Sequence, residues 1–205
     1  MDKSMRSASI TGIVLIILIT ASIVFIDHPL AWYINENYSH AGYSRSASSL
    51  VELLFGFHLS NYFIGFFALL TGVIVYLKTW RHNIAIRFVY VGAVYIATRF
   101  VTDVLQSIFL REGPLDLIMP AATSKEFFLY GHSFPSEYSA YFFGLFLPLL
   151  VIFPKHKWLL AIPVFVTVSR ILTNDHYLGD VLASIMIAVL FSWIFAKLFK
   201  VKPVM

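Results

Sequence analysis

Arg170, His176 and Asp180 are the first residues whose types and spacing suggest chemistry. His176 and Asp180 stand four positions apart, so on a helix they share one face. A carboxylate one turn from an imidazole can accept a hydrogen bond from one ring nitrogen. Such a bond fixes the tautomer and leaves the other nitrogen to act as nucleophile or base. Arg170 adds a planar guanidinium fork that suits phosphate oxygens. Taken singly, each is equally well explained by structural bonds at a helix end; the joint spacing is what points to phosphoryl chemistry. A second set, Arg99, Asp103 and Gln106, follows helical spacings and also shares a face. Either Arg99 and Asp103 pair inside the protein, or Arg99 reaches toward the phosphate site.

The surroundings make these charges expensive. Of 205 residues, 59% are hydrophobic and 13% charged, about half the usual charged share of roughly 25%. The mean hydropathy is +0.80. These values exclude an ordinary soluble domain and a disordered chain. Cysteine is absent, which excludes disulfides, thiolate zinc sites and a Cys nucleophile. A charge inside a membrane span costs on the order of 3 kcal/mol, so residues such as Arg99 and Asp103 mark function or pairing.

Six apolar stretches, at residues 10–26, 59–77, 86–110, 138–153, 158–173 and 177–196, read as transmembrane helices. The fold class is therefore all-α, a polytopic membrane protein with a single domain over residues 1–205. Residues 27–52 read as an amphipathic outer segment, and residues 111–137 as a long outer loop carrying Gly113, Pro114, Pro120 and Pro135. With both termini cytoplasmic, the inner segments hold ten basic residues against the single acid Asp2. The outer side then holds five basic residues and ten acids. That asymmetry follows the positive-inside rule and sets the orientation. Trp32, Trp80, Trp158 and Trp193 fall near the expected interfaces. His28, His40 and His58 have no partner at metal-ligand spacing, and Lys125 and Glu126 read as solvated loop residues.

On these residues the chain resembles the type 2 phosphatidic acid phosphatase family. Ser169-Arg170, five residues, His176, three residues and Asp180 match the family's third signature. Pro135-Ser136-Glu137-Tyr138, preceded by Ser133-Phe134, is similar to its second, Pro-Ser-Gly-His. The first signature, Lys, six residues, Arg-Pro, falls on Gln106 through Gly113-Pro114, with Arg111 offset by two. The resemblance covers about residues 59–196.

It implies a metal-independent lipid phosphate phosphatase or phosphotransferase with no cofactor. His176 would be the nucleophile forming a phosphohistidine, and Asp180 its orienter. Arg170 and Ser136 would hold the phosphoryl oxygens, joined in the phosphate cradle by Arg111, Glu137, Tyr138, Gln106 and Arg99. Tyr138 stands where the family has the His that protonates the leaving group, so His132 or Glu137 is the candidate general acid. The expected substrate is a lipid phosphate or pyrophosphate at the outer face of a bacterial inner membrane. No nucleic-acid partner is expected, because the basic residues are placed by topology. The competing reading is a catalytically silent lipid-phosphate binder or transporter with the same fold, motivated by the missing first-signature cations.

Overall fold

The computed structural model describes residues 3–38, 49–51, 53, 62–79, 81–118 and 131–204, all helix and connecting loop with no strand among them. Lys125, Glu126, His40, His58 and Trp80 lie outside the described residues. Helix α1 (Lys3–Ala21) runs through a π-helical stretch (Ser22–Ile26) into α2 (Asp27–Asn37). Then come α3 (Phe63–Thr79), α4 (His82–Phe109), the short α5 (Pro114–Ile118), α6 (Glu137–Ile152), a 3-10 turn (Lys157–Leu160), α7 (Ala161–Leu172) and α8 (Leu178–Leu198).

Each of the six apolar stretches contains a helix. Among the described residues, three continuous helical segments are long and apolar enough to cross a membrane: Ile10–Asn37, His82–Asp116 and Leu178–Leu198. Phe63–Thr79 and Glu137–Ile152 are shorter apolar helices. Large apolar side chains stand exposed on them, among them Phe25, Phe66, Phe67 and Leu77. An uncovered apolar surface of this extent is unstable in water and natural in lipid, so the protein is a membrane protein. The first helix differs from expectation at its carboxy-terminal end. It does not stop at residue 26 but continues through Asp27, whose side chain is buried rather than set on an outer surface. The continuation is stabilised because Asp27 finds buried partners, described below.

In lipid, helix association rests on close packing rather than on the hydrophobic effect. The α3–α4 pair illustrates this. Gly65, Ala68 and Gly72 form the buried stripe of α3, and Gly92 of α4 lies against it. A Cβ on Gly92 would sit 2.7 Å from the Gly65 carbonyl oxygen and 3.0 Å from the Leu69 amide nitrogen. The aromatic and aliphatic core, including Tyr90, Val94, Phe142, Phe146, Ile152 and Val166, joins α4, α6 and α7.

The bundle has two unlike ends. At one end lie Lys78, Arg81, Arg87 and Lys197, and the C-terminal tail is tied across it. The Val204 amide donates to the Ile152 carbonyl at 2.7 Å, and Arg87 donates to the Lys202 carbonyl at 3.4 Å. At the other end meet the α1–α2 junction, the end of α4, the start of α6, the end of α7 and the start of α8. There Leu110 turns the chain out of α4 in the left-handed region, at φ 46°. For a branched side chain that conformation costs about 1 kcal/mol or more, and it delivers Arg111 back over the bundle.

Gly92→Ala is expected to destabilise the protein by about 1–3 kcal/mol, because the new methyl meets backbone rather than a side chain that can swing aside. Denaturant unfolding in detergent checks this; an unchanged midpoint would remove the α3–α4 close approach as a stabilising contact.

Candidate active site

The site is assembled where the α1–α2 junction, the end of α4, the start of α6, the end of α7 and the start of α8 meet. Ser136 is the N-cap of α6, its Oγ accepting from the Ser139 amide at 3.4 Å and the Ser139 hydroxyl at 3.0 Å. An oxygen there satisfies an otherwise orphaned first-turn amide. The Ser136 amide donates to the Asp180 carbonyl at 3.0 Å, and Ser184 Oγ donates to the Ser136 carbonyl at 2.7 Å. These bonds fasten the start of α6 to α8. The amino-terminal end of α6, with its partial positive charge, therefore begins beside the residues that lead α8.

His176 precedes α8 and is buried. Its Nδ1 lies 3.1 Å from the Ser133 carbonyl oxygen. A carbonyl can only accept, so Nδ1 carries the proton and the neutral ring presents Nε2 as a bare lone pair. No group among the described residues hydrogen-bonds Nε2. The expectation that Asp180 would hold the ring directly is corrected here: Nδ1 and the nearest Asp180 oxygen are 4.0 Å apart. Asp180 acts one bond further back. Its Oδ2 accepts from Ser133 Oγ at 2.6 Å and from the Tyr177 amide at 2.9 Å. It thus fixes the residue whose carbonyl holds the ring, and the helix start that carries His176. Sequence spacing pointed to Asp180; the carbonyl of Ser133 was invisible because every residue has one.

Burial pushes the His176 pKa down from 6.5 to about 4, the Ser133 hydrogen bond and the Asp175 charge opposing only part of that shift. The imidazole is neutral at physiological pH, the form a nucleophile needs.

The arginines are each held by carboxylates and capped by a tyrosine ring. Arg170 Nη1 donates to Asp175 Oδ2 at 2.9 Å, and its guanidinium lies 3.8 Å over the Tyr138 ring. Tyr138 thus meets the phosphate-binding candidate Arg170 from the position of the family's second-signature His. Arg111 donates from Nη1 to Asp180 at 2.6 Å and from Nη2 to Asp27 at 2.8 Å, with the Tyr177 ring 4.2 Å away. Arg99 Nη2 pairs with both Asp103 and Glu137, and its guanidinium lies 4.7 Å over Tyr141.

Arg111 and Gln106 are thereby placed differently from expectation, and of the two readings open for Arg99 the internal pair is the one observed. Arg111 is not an open cation but spans two buried acids. Arg99 forms the internal pair with Asp103, extended to Glu137, which also accepts from Tyr141 Oη at 2.6 Å. Gln106 uses its amide to hold the carbonyls of His132 and Pro135, each at 2.9 Å. The common reason is that an unmatched charge or amide inside an apolar bundle is costly, so nearby acceptors are recruited. His132 is exposed, and only its backbone enters this network. Asp27 and Asp175 were missed as site residues. Asp175 adjoins His176 and Asp27 ends an apolar stretch, and an acid in either place is the only signal the sequence offers. Among the described residues, no three His, Asp or Glu side chains are grouped to hold a metal ion.

A helical membrane protein with a buried neutral histidine, a guanidinium beside it and a capped helix start is thus the class that fold and site define. The profile of the PAP2 superfamily matches residues 87–203, more than half the chain, and the protein belongs to that family. Membership implies phosphatase- or phosphotransferase-type activity on phosphate esters. Comparison with curated proteins and with solved structures returned no match.

The lowered pKa predicts where acid acts. His176 binds its proton in the folded state only near pH 4, whereas the unfolded chain binds it near 6.5. Stability from the neutral buried ring is thus complete above about pH 6.5 and is lost as pH falls toward 4. Titration of 15N-histidine-labelled protein should show the His176 resonance, assigned by its loss in His176→Ala, shifting well below pH 6. A midpoint near 6.5 would mean that the ring is solvated.

Proposed function

We propose that this protein is an integral membrane phosphatase or phosphotransferase acting on a lipid phosphate or pyrophosphate at the outer membrane face. The observation that carries the reading is the Ser133 carbonyl on Nδ1 of His176, which leaves Nε2 bare and nucleophilic. Nε2 attacks phosphorus, a nitrogen–phosphorus bond forms, and the bond to the leaving oxygen breaks. Water or an acceptor hydroxyl then attacks phosphorus, the nitrogen–phosphorus bond breaks, and His176 is restored. Arg170 neutralises the phosphoryl oxygens, exchanging part of its bond with Asp175 for the substrate. No metal is required by these steps.

Six spans with both termini in the cytoplasm accompany this reading. Its support is the positive-inside asymmetry together with the position of the site at the bundle end opposite Lys78, Arg81, Arg87 and Lys197. In a bacterial inner membrane the site then faces the periplasm. A phenol is a weak acid at neutral pH, so Tyr138 is a poor proton donor to an alkoxide leaving group. A phosphate leaving group needs less protonation, so a pyrophosphate is the favoured substrate. Undecaprenyl pyrophosphate, phosphatidylglycerol phosphate, phosphatidic acid and lipid A phosphates form the panel.

One observation favours a second reading. Arg99, Arg111 and Arg170 are all matched by carboxylates, which suits a silent descendant that binds lipid phosphates or assembles with partners.

Phosphate release from that panel, by detergent-purified protein with chelator present, separates the two. The enzyme releases phosphate, and His176→Ala lowers the rate on the order of 10^3-fold or more while the protein stays folded. Tyr138→His should raise the rate on monoesters more than on pyrophosphates. Full turnover in His176→Ala would sink the phosphohistidine route; silence from folded wild type that still binds the lipids would favour the binder.

A further inference from the structure

Asp27 lies outside the matched residues 87–203, in the first helix, yet it is one of the most buried charged groups of the protein. Its burial has a local cause. In the π-helical stretch the Asp27 amide bonds to the Ser22 carbonyl, five residues back. In an α-helix those two side chains would diverge; the wider turn brings Ser22 Oγ to 2.7 Å from Asp27 Oδ1. The same oxygen accepts the Gly179 amide at 2.9 Å, while Oδ2 takes Arg111 Nη2 at 2.8 Å. All three partners are donors, so an acceptor-only side chain satisfies them and an amide would set its own N–H against one of them.

Gly179 is what allows the approach. A Cβ there would lie 2.8 Å from Asp27 Oδ2 and 2.8 Å from Ile23 Cγ1. Two further contacts dock the same helix on the same turn. Asn174 Nδ2 donates to the Ala31 carbonyl at 3.2 Å, and His28 stacks on Tyr177 at 5.6 Å. Residues 174, 177 and 179 bracket His176, and each is held by the first helix.

From this geometry we infer that Asp27 is a positioning residue for His176, acting through Gly179 and through the Arg111–Asp180 pair that fixes Ser133. This deepens the phosphohistidine reading and rests on it for its kinetic consequence. Asp27 touches no reacting atom. It sets where the ring sits, and displacements of about 1 Å in such positioning can cost on the order of 100-fold in rate.

The test uses the full-length protein in detergent, with Asp27→Asn and the milder Ser22→Ala. On whichever panel lipid the wild type hydrolyses, Asp27→Asn should lower kcat at least tenfold with KM within about twofold, and Ser22→Ala should lower it less. In 15N-histidine spectra, the His176 signal should move from the single Nδ1–H tautomer toward a mixture in both variants. If Asp27→Asn instead lowers KM and keeps kcat, Asp27 merely competes with substrate for Arg111, and the positioning role is overturned. An unchanged tautomer signal in Ser22→Ala and in folded Asp27→Asn overturns it too. The spectra are independent of turnover. A wild type that is silent on the panel but whose tautomer responds to these substitutions would sink the phosphatase reading and leave the positioning role standing.

Discussion

The site depends on one guanidinium shared by two buried acids. Arg111 joins Asp27 of the first helix to Asp180 of the last, and from Asp180 the restraint passes to Ser133 and Tyr177. Both carboxylates are fully shielded from solvent, while the arginine is partly open. In low-polarity surroundings each acid would be untenable alone, and removing the arginine would strand two. The pairing therefore does more than add stability. It fixes the relative placement of helix ends that share no sequence neighbourhood, and His176 stands among them.

The body of the protein is held differently. Its apolar faces gain little by leaving lipid for each other, so adhesion comes from close contact at Gly65, Gly72 and Gly92 and from the aromatic core. Buried polar groups are concentrated at one end, where Arg99, Arg111 and Arg170 each have both an acid and an aromatic ring. This division explains why substitutions in the two regions act differently: added volume disturbs the body, and removed charge disturbs the end.

Much of this was legible in the sequence. The apolar stretches announced the helices, and Arg170, His176 and Asp180 announced the site by their spacing. What escaped was long-range or backbone in origin. Asp27 and Arg111 are 84 positions apart, and no local pattern links them. The Ser133 carbonyl leaves no trace in side-chain identity. Arg111 and Gln106 read as phosphate ligands because the cost of leaving them unmatched inside the bundle can be weighed only when their neighbours are known. The π-helical stretch that turns Asp27 inward has no signature in Ser22–Ile26 that would separate it from an ordinary apolar turn.

The partnership of first and last helices also orders the birth of the protein. Translation delivers Asp27 first, Arg111 much later, and Asp180 only when the final apolar helix follows. Until the end of α4 has been made, Asp27 lacks Arg111, and until α8 arrives, Gly179 and Asp180 are missing from the joint. The nascent chain thus carries Asp27 without its long-range partners through most of its synthesis. The seat of His176 is completed only once α8 has joined the bundle, so a chain that stops before α8 lacks it altogether.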